Sequence, residues 1–329
     1  MPSSGSGDPA DTAVKGDVPT LVCPRCRIAL DDMRCGGCRT TYPIVAGIPD
    51  LRLTGDAYLT IDEDRRKAER LAAIPGSAED LMRAYWAMTP EVPADLAEKY
   101  VRHTVDGPRR AQPHLAEIGR TSGRLLDVGC GTGGLLVAAG GRGLSPTGVD
   151  IALRWLVVAR RFLVEADCEA QLFAADGALL PFAAGSFEVV CGIEVLEHAE
   201  DQRGVLHAAL DAVRPGGVGY LVTANRHSIA PDPTVGLWGL GYLPRSVAVR
   251  YVARRRQTRY GFMRPLTSGQ IRAMLGPDSG TSIAPAPLPG AAAGGMRGVA
   301  THMYDRCRHT GVGKVALNRL GPFLQVTTP

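Results

Sequence analysis

No stretch of this 329-residue chain approaches the roughly 18 to 20 uninterrupted apolar residues of a membrane span. The opening Met1-Pro2-Ser3-Ser4-Gly5-Ser6-Gly7 has neither the basic nor the apolar part of a signal peptide. A soluble, intracellular and cytoplasmic protein is therefore expected. Internal repeats are missing, and eight cysteines in a chain of this size and type do not suggest a disulfide scaffold. Residues 1–19 are rich in Ser, Gly, Asp and Pro, with nothing apolar enough to fold around, and read as a disordered leader. What remains is ample for a buried core, at 45% hydrophobic residues, and long enough for one core domain plus an appendage. The net charge of +4 is modest, but its distribution along the chain is uneven.

The most informative pattern is Leu125-Leu126-Asp127-Val128-Gly129-Cys130-Gly131-Thr132-Gly133-Gly134, followed by Gly148-Val149-Asp150-Ile151. It reads as a buried strand, a glycine turn, a helix start and a second strand ending in a carboxylate. A turn without side chains at Gly129 and Gly131 lets a ligand lie against the backbone, and Asp150 can accept from two ribose hydroxyls. The pattern is that of a site for an adenosine-containing cofactor. Gly129, Gly131 and Gly134 also satisfy the GxGxxG pattern of NAD-binding folds, a weak signal when it stands alone.

Here the pattern is extended at both ends. Asp127 precedes the first glycine by two residues, and Ala174-Ala175-Asp176-Gly177-Ala178-Leu179-Leu180-Pro181-Phe182 follows Asp150. Next come Gly185-Ser186-Phe187-Glu188-Val189-Val190, then Glu194-Val195-Leu196-Glu197-His198-Ala199-Glu200-Asp201, and finally Arg214-Pro215-Gly216-Gly217. In order and spacing this series resembles the class I S-adenosylmethionine-dependent methyltransferases, of the ubiquinone-biosynthesis-like kind, over roughly residues 110 to 225. The resemblance implies an α/β, Rossmann-like, seven-stranded sheet with helices on both faces. It places Gly129, Cys130 and Gly131 beneath the methionine part of the cofactor, Asp150 on the ribose, Ile151 on adenine, and Asp176 with Gly177 at the adenine edge. Asp127 and Ile193 complete the implied cofactor set. His198 follows the fourth strand and is the candidate general base, with Glu194 and Glu197 placed to orient its ring or bind a polar substrate; capping of a helix start is the other reading of this trio.

Strands are expected near residues 125 to 129, 146 to 151, 170 to 175, 187 to 192 and 218 to 224, with a short strand and a mobile loop within 280 to 299, a helix near 267 to 275, one helix around 304 to 319, and a closing strand at 322 to 328. Ahead of the sheet, Cys23-Pro24-Arg25-Cys26 and Cys35-Gly36-Gly37-Cys38 carry the spacing of a four-thiolate zinc site; four thiolates leave no open coordination position, so the Zn²⁺ would be structural. The continuation Tyr42-Pro43-Ile44-Val45-Ala46-Gly47-Ile48-Pro49-Asp50-Leu51 resembles the end of a Trm112-like zinc ribbon, with Ala46 where that family has an acidic residue. That family acts as a partner or activator of methyltransferases; the plainer reading is a staple for a segment with no core of its own. The domain reading is a leader at 1–19, the ribbon at 20–54, a helical cap at 55–110 and the methyltransferase domain at 111–329, with an insertion at 225–265. The ribbon is expected to be separable, its loss leaving cofactor affinity nearly unchanged. In the cap, Ser77-Ala78-Glu79-Asp80 marks a helix start, and Tyr85, Trp86 and His103 either line the acceptor pocket or form core.

The insertion combines Asn225-Arg226-His227-Ser228-Ile229-Ala230-Pro231-Asp232-Pro233 and a block around Trp238 with Arg245, Arg250, Arg254, Arg255, Arg256, Arg259 and Arg264, seven arginines in 20 residues without one acidic residue. Such a surface suits phosphate, carboxylate or anionic lipid headgroups, unless it is a solvated helix face. The leading expectation is O-methylation of a hydroxyl on a polar small molecule, anionic or sugar-containing, with Asn225, His227 and Trp238 suited to a saccharide. The alternatives are a ribosomal RNA base methyltransferase, for which the chain lacks an evident base-stacking aromatic array, and a noncatalytic binding protein that recruits a partner through the ribbon.

Overall fold

Apolar residues that run on through Leu125-Leu126, Val189-Val190-Cys191 and Tyr220-Leu221-Val222 point alternately to the two sides of a strand, so both sides need cover. The computed structural model, which describes residues 19–232, 234–258, 260–277, 279–288 and 296–328, supplies it. Leu125, Val189, Cys191, Tyr220 and Val222 enter one apolar core, while Leu126, Val190 and Leu221 enter a second on the opposite face. The expected leader, apart from Pro19, lies outside the described residues, as do Pro233, Arg259 and the stretch 289–295 of the expected mobile loop.

The chain opens with two hairpins of two-residue strands, β1 (Leu30–Asp31) with β2 (Arg34–Cys35) and β3 (Ile44–Val45) with β4 (Ile48–Pro49). Four helices follow: α1 (Ile61–Ala72), α2 (Ala78–Ala87), α3 (Ala94–Val105) and α4 (Gly107–Ile118). Ser77 and Asp80 cap α2 reciprocally, as their spacing predicts, and Thr60 and Glu63 do the same for α1. The sheet strands are β5 (Gly123–Val128), β6 (Leu144–Asp150), β7 (Gln171–Ala174), β8 (Phe187–Ile193), β9 (Val213–Ala224), β10 (Ser282–Pro285) and β11 (Phe323–Thr327), in the order β10-β11-β9-β8-β5-β6-β7. The five strands β5 to β9 pair in parallel, and β11 runs antiparallel to both β9 and β10. From β5 the chain first builds outward through β6 and β7, then returns to β8 on the other side. The carboxyl end of β5 is thus a switch point, where open α/β sheets leave a crevice for ligands.

Helices α5 (Gly134–Gly140) and α6 (Leu153–Glu165) join α1, α2 and α4 over the first core, whereas α7 (Gln202–Asp211) and α9 (Ser268–Leu275) cover the second. One open reading is decided here and one expectation changes. Tyr85 and Trp86 belong to the core: Tyr85 is buried and meets Trp86 and Trp155 at ring distances of 4.8 and 4.5 Å, while Trp86 stacks on Tyr100. The helix expected over 304–319 is two, α10 (Met296–Arg308) and α11 (Gly311–Leu320), because the Thr310 hydroxyl accepts from Gly313 N and starts a new helix. Within the insertion lies α8 (Arg245–Arg256), packed over a small core of Val235, Leu240, Val252, Tyr260 and Met263. No described helix is long and apolar enough to cross a membrane.

The ribbon is sewn to the sheet. Val22 N donates to Pro181 O at 2.9 Å, the Arg27 guanidinium donates to Leu180 O and Phe182 O, and Leu51 N donates to Ala174 O at 2.8 Å, at the end of β7. Cys23, Cys35, Tyr42 and Leu51 share the second core with Phe173 and Phe182.

Candidate active site

The turn after β5 is shaped by its backbone amides. Gly129 N and Cys130 N both donate to Val149 O, at 2.7 and 3.0 Å, and Gly131 N donates to the Asp150 carboxylate at 2.8 Å. Gly129 and Gly131 take φ of +75° and +51°, a region that costs a side chain dearly. A Cβ on Gly129 would come within 2.5 Å of Val195, whereas one on Gly131 would meet nothing within 4 Å, so the turn is open on the Gly131 side. Asp150, half-buried at the end of β6, also accepts from Ala152 N at 2.8 Å. Each of its oxygens thus keeps a further lone pair for a ligand hydroxyl. Burial pushes its pKa up, against the lowering pull of those two amides.

Asp127 lies beneath, almost fully buried, and accepts no side-chain hydrogen bond from the described residues. Burial and the neighbouring Asp150 raise its pKa to about 8. A buried carboxyl without a donor, at the end of the central strand and beside an open glycine turn, fits the ammonium end of an amino-acid-bearing cofactor. Cys130 is buried, with its thiol pushed well above the usual range by burial. Ile151 and Ile193 are half-buried at the ends of β6 and β8. Asp176 and Gly177 are half-buried after β7; Asp176 Oδ1 accepts from Ala178 N at 2.9 Å and caps a single 3₁₀ turn, which leaves its second oxygen for a ligand.

No sequence signal revealed what braces this side. Arg52, 5% exposed, sits between Asp50 and Asp64 at 2.8 and 2.6 Å and donates to Ile151 O at 2.8 Å. Asp64 also accepts from Leu153 N and from Arg154, which reaches Asp56 as well at 2.6 Å. The contacts from 52–64 to 151–154 span 89 to 99 positions, so no local spacing could announce them. They fix the 150–153 loop on which Asp150 and Ile151 stand. Each charge is paired and hydrogen-bonded, the condition under which buried ions are tolerated.

Across the switch point, Glu194 takes φ of +57°, and Arg110 of α4 stands 3.5 Å from its carboxylate. Burial and Glu197 raise the Glu194 pKa, while Arg110, His198 and Lys99 pull it down. His198 is exposed on the rim; the protein around it lowers its pKa below 6.5, opposed by Glu194 and Asp150. Its ring is therefore neutral at physiological pH and able to take a proton. Glu197 does not belong to that pair. It is 1% exposed, its oxygens accept from Thr223 Oγ1 at 2.8 Å and Ala224 N at 3.0 Å, and its carbonyl accepts from Arg264 N at 2.7 Å. The assignment of Glu197 to a substrate is corrected: it ties the 194–198 turn to β9 and to the insertion.

The acceptor side also differs from its sequence reading. Asn225, 5% exposed, spends its amide on Gly321 O at 2.8 Å; the His227 ring stacks on Tyr242, and Trp238 is 67% exposed. Arg264 leaves the basic cluster to bond Glu200 O, and Arg245 bonds Gly261 O. His103 lies exposed on α3, held to a pKa of about 4 by the surrounding protein and by Arg110 and Lys99.

In the ribbon, Cys23, Cys26, Cys35 and Cys38 bring four sulfurs within 4.8 Å of one another, with 3.2 Å between Cys26 and Cys35 and 3.6 Å between Cys23 and Cys38. Four thiolates about 2.3 Å from one ion stand about 3.8 Å apart, so the cluster fits a tetrahedral metal. The Tyr42 hydroxyl lies 3.1 Å from Cys23 Sγ.

Residues 100–266, just over half of the chain, match the family model described as a methyltransferase domain. A ubiquinone biosynthesis O-methyltransferase of Methylobacterium nodulans is 31% identical over 189 residues, 56% of this chain and 74% of that protein. One of Idiomarina loihiensis is 33% identical over 144 residues, 43% of this chain and 56% of that protein. The chain spans about half the length of several such relatives. A solved S-adenosylmethionine-dependent methyltransferase of Mesorhizobium loti is 20% identical, with a TM-score of 0.44 over 66% of this chain and 96% of that one. With its glycine turn, its paired carboxylates at the ends of β5 and β6 and its match from α3 through the insertion, the chain belongs to the methyltransferase-domain family.

Proposed function

We propose that the chain transfers a methyl group from S-adenosylmethionine to a hydroxyl of a small polar molecule. The observation that carries this reading is the open Gly131 side of the turn, with Asp127 and Asp150 beneath it and His198 across from it. When bound, the cofactor supplies an electrophilic methyl on a sulfonium. Asp127 then takes the ammonium, Asp150 the ribose hydroxyls, Ile151 and Ile193 the apolar faces, and Asp176 with Gly177 the adenine edge, while Gly129, Cys130 and Gly131 offer backbone to the methionine part. Positioning of the acceptor supplies most of the rate, about 7 to 11 kcal/mol, and a base adds roughly 10² to 10⁴. Neutral His198 accepts the hydroxyl proton, with Glu194 holding the ring. The relatives named as O-methyltransferases support a hydroxyl acceptor. The four cysteines hold one structural Zn²⁺.

The test is ligand-dependent melting together with transfer of labelled methyl from S-adenosylmethionine into fractionated extract. S-adenosylhomocysteine should raise the melting temperature and NADH should not, with label entering the small-molecule fraction. Stabilisation by NADH alone would overturn the reading, and label entering RNA would replace its acceptor.

A further inference from the structure

Beside α3, and apart from the glycine turn, the insertion leaves a cleft of about 280 Å³. Pro93, Leu96 and Val235 supply its apolar walls; among the described lining residues Lys99, Arg254, Arg255 and Arg256 supply four cations against one acid, Asp95, while Asp232 lies behind the wall, held by Thr234 N and Val235 N. A solvated helix face accounts for exposed arginines, but not for arginines gathered around a cavity with a lysine from another element. Lys99 Nζ donates to Thr234 O at 2.9 Å, and Arg256 Nε donates to Val235 O at 2.8 Å, so both cations are held in place by backbone carbonyls of the wall. Burial pulls the Lys99 pKa down, which means that an anion beside it relieves a desolvation cost. The carboxyl end of α8 contributes about half a negative charge nearby, too little to offset three guanidinium groups. Lys99 stands on α3, and the next helix, α4, carries Arg110, which lies 3.5 Å from the Glu194 carboxylate.

We propose that this cleft binds the anionic group, a phosphate or a carboxylate, of the methyl acceptor. The charge anchors one end of the molecule over Lys99, and its hydroxyl reaches Glu194 and His198. This proposal rests on the methyl-transfer reading for the acceptor's fate, but not for the binding of an anion. Guanidinium forks favour oxyanions with two or more acceptor oxygens, which neutral sugars lack.

Pyrophosphate serves as the probe, titrated calorimetrically into the full chain, into the triple variant Arg254→Gln, Arg255→Gln, Arg256→Gln, and into Lys99→Met. The wild type should bind one pyrophosphate, the triple variant should bind it roughly tenfold or more weakly, and added salt should weaken only the wild type appreciably. Affinity for S-adenosylhomocysteine, measured on the same samples, should change less than about twofold, which also shows that the variants are folded. In the labelled-methyl assay, pyrophosphate should compete with the acceptor fraction. Undiminished binding in the triple variant overturns the cleft as the site, and binding without competition makes it a free-anion site and overturns the acceptor assignment. Competition by single-stranded RNA, with label entering RNA, overturns the small-molecule class. Pyrophosphate binding with no affinity for S-adenosylhomocysteine in any sample leaves the anion site standing and brings down the methyl-transfer reading instead.

Discussion

The two sides of the switch point are built on opposite principles. On the cofactor side, the loop after β6 is held by Arg52, Asp64 and Arg154, all nearly buried, and by amides that spend themselves on Asp150. On the acceptor side, α8 carries exposed arginines over a small separate core, and His198 stands on an exposed rim. Under the proposed function, a braced loop for the donor and an adaptable charged insertion for the acceptor would let one framework keep its donor while the acceptor varies. The contrast predicts that stability and donor affinity will respond to one set of substitutions, and acceptor handling to another.

The sharpest break should come from His198→Ala. Turnover should fall by roughly 10² to 10⁴, with S-adenosylhomocysteine affinity and melting temperature preserved, because an exposed ring supplies chemistry and little packing. In the wild type the rate should rise with pH through a pKa below 6.5 and level off by neutrality, since the surrounding protein holds the ring neutral. A variant with full activity would move His198 from catalysis to capping.

Arg154→Met should do the reverse. Removing it leaves Asp56 without its cation and Asp64 with Arg52 alone, a loss of about 3 to 5 kcal/mol in denaturant unfolding, together with weaker donor binding through the loosened 150–153 loop. Unchanged donor affinity in the folded fraction would show that the lattice serves stability alone.

A smaller effect tests whether the ribbon belongs to the cofactor side. Cys23→Ser with Cys26→Ser should remove the metal, measured by elemental analysis, and weaken S-adenosylhomocysteine binding by roughly tenfold, about 1.4 kcal/mol. The route is Leu51 and Asp50, which join the ribbon to the end of β7 and to Arg52. Unaltered binding would restore the separable staple that the sequence alone suggests.

The smallest signal is a proton. Asp127 is raised to about 8, so the folded chain favours its neutral form. The sign follows: that preference stabilises the free protein at low pH and fades as pH climbs from the ordinary carboxylate value, near 3.9, through about 8. A ligand ammonium favours the ionised form, so binding S-adenosylhomocysteine near pH 7 should release a fraction of a proton, read as a dependence of the binding heat on buffer ionisation. Asp127→Asn should abolish it.

Much of the glycine turn and its neighbouring carboxyl groups was legible in the sequence because it is local. Gly129, Gly131 and Asp150 stand at the ends of adjacent strands, and parallel pairing with both faces buried leaves such residues few places to go. The CxxC pairs were legible for the same reason, since a knuckle sets its own geometry within four residues. Glu197 misled because spacing cannot tell a side chain that faces a pocket from one that turns inward to Thr223. Sequence by itself thus determined the sheet, the glycine turn and the thiolate cluster, each fixed by periodicity or by contacts a few residues long. Only the tertiary structure decided that the ribbon braces the donor loop, that Arg264 parts from its neighbours, and that Lys99 meets Arg254 to Arg256 across a cleft, because burial and charge pairing between segments 64 or more residues apart leave no periodic trace in the chain.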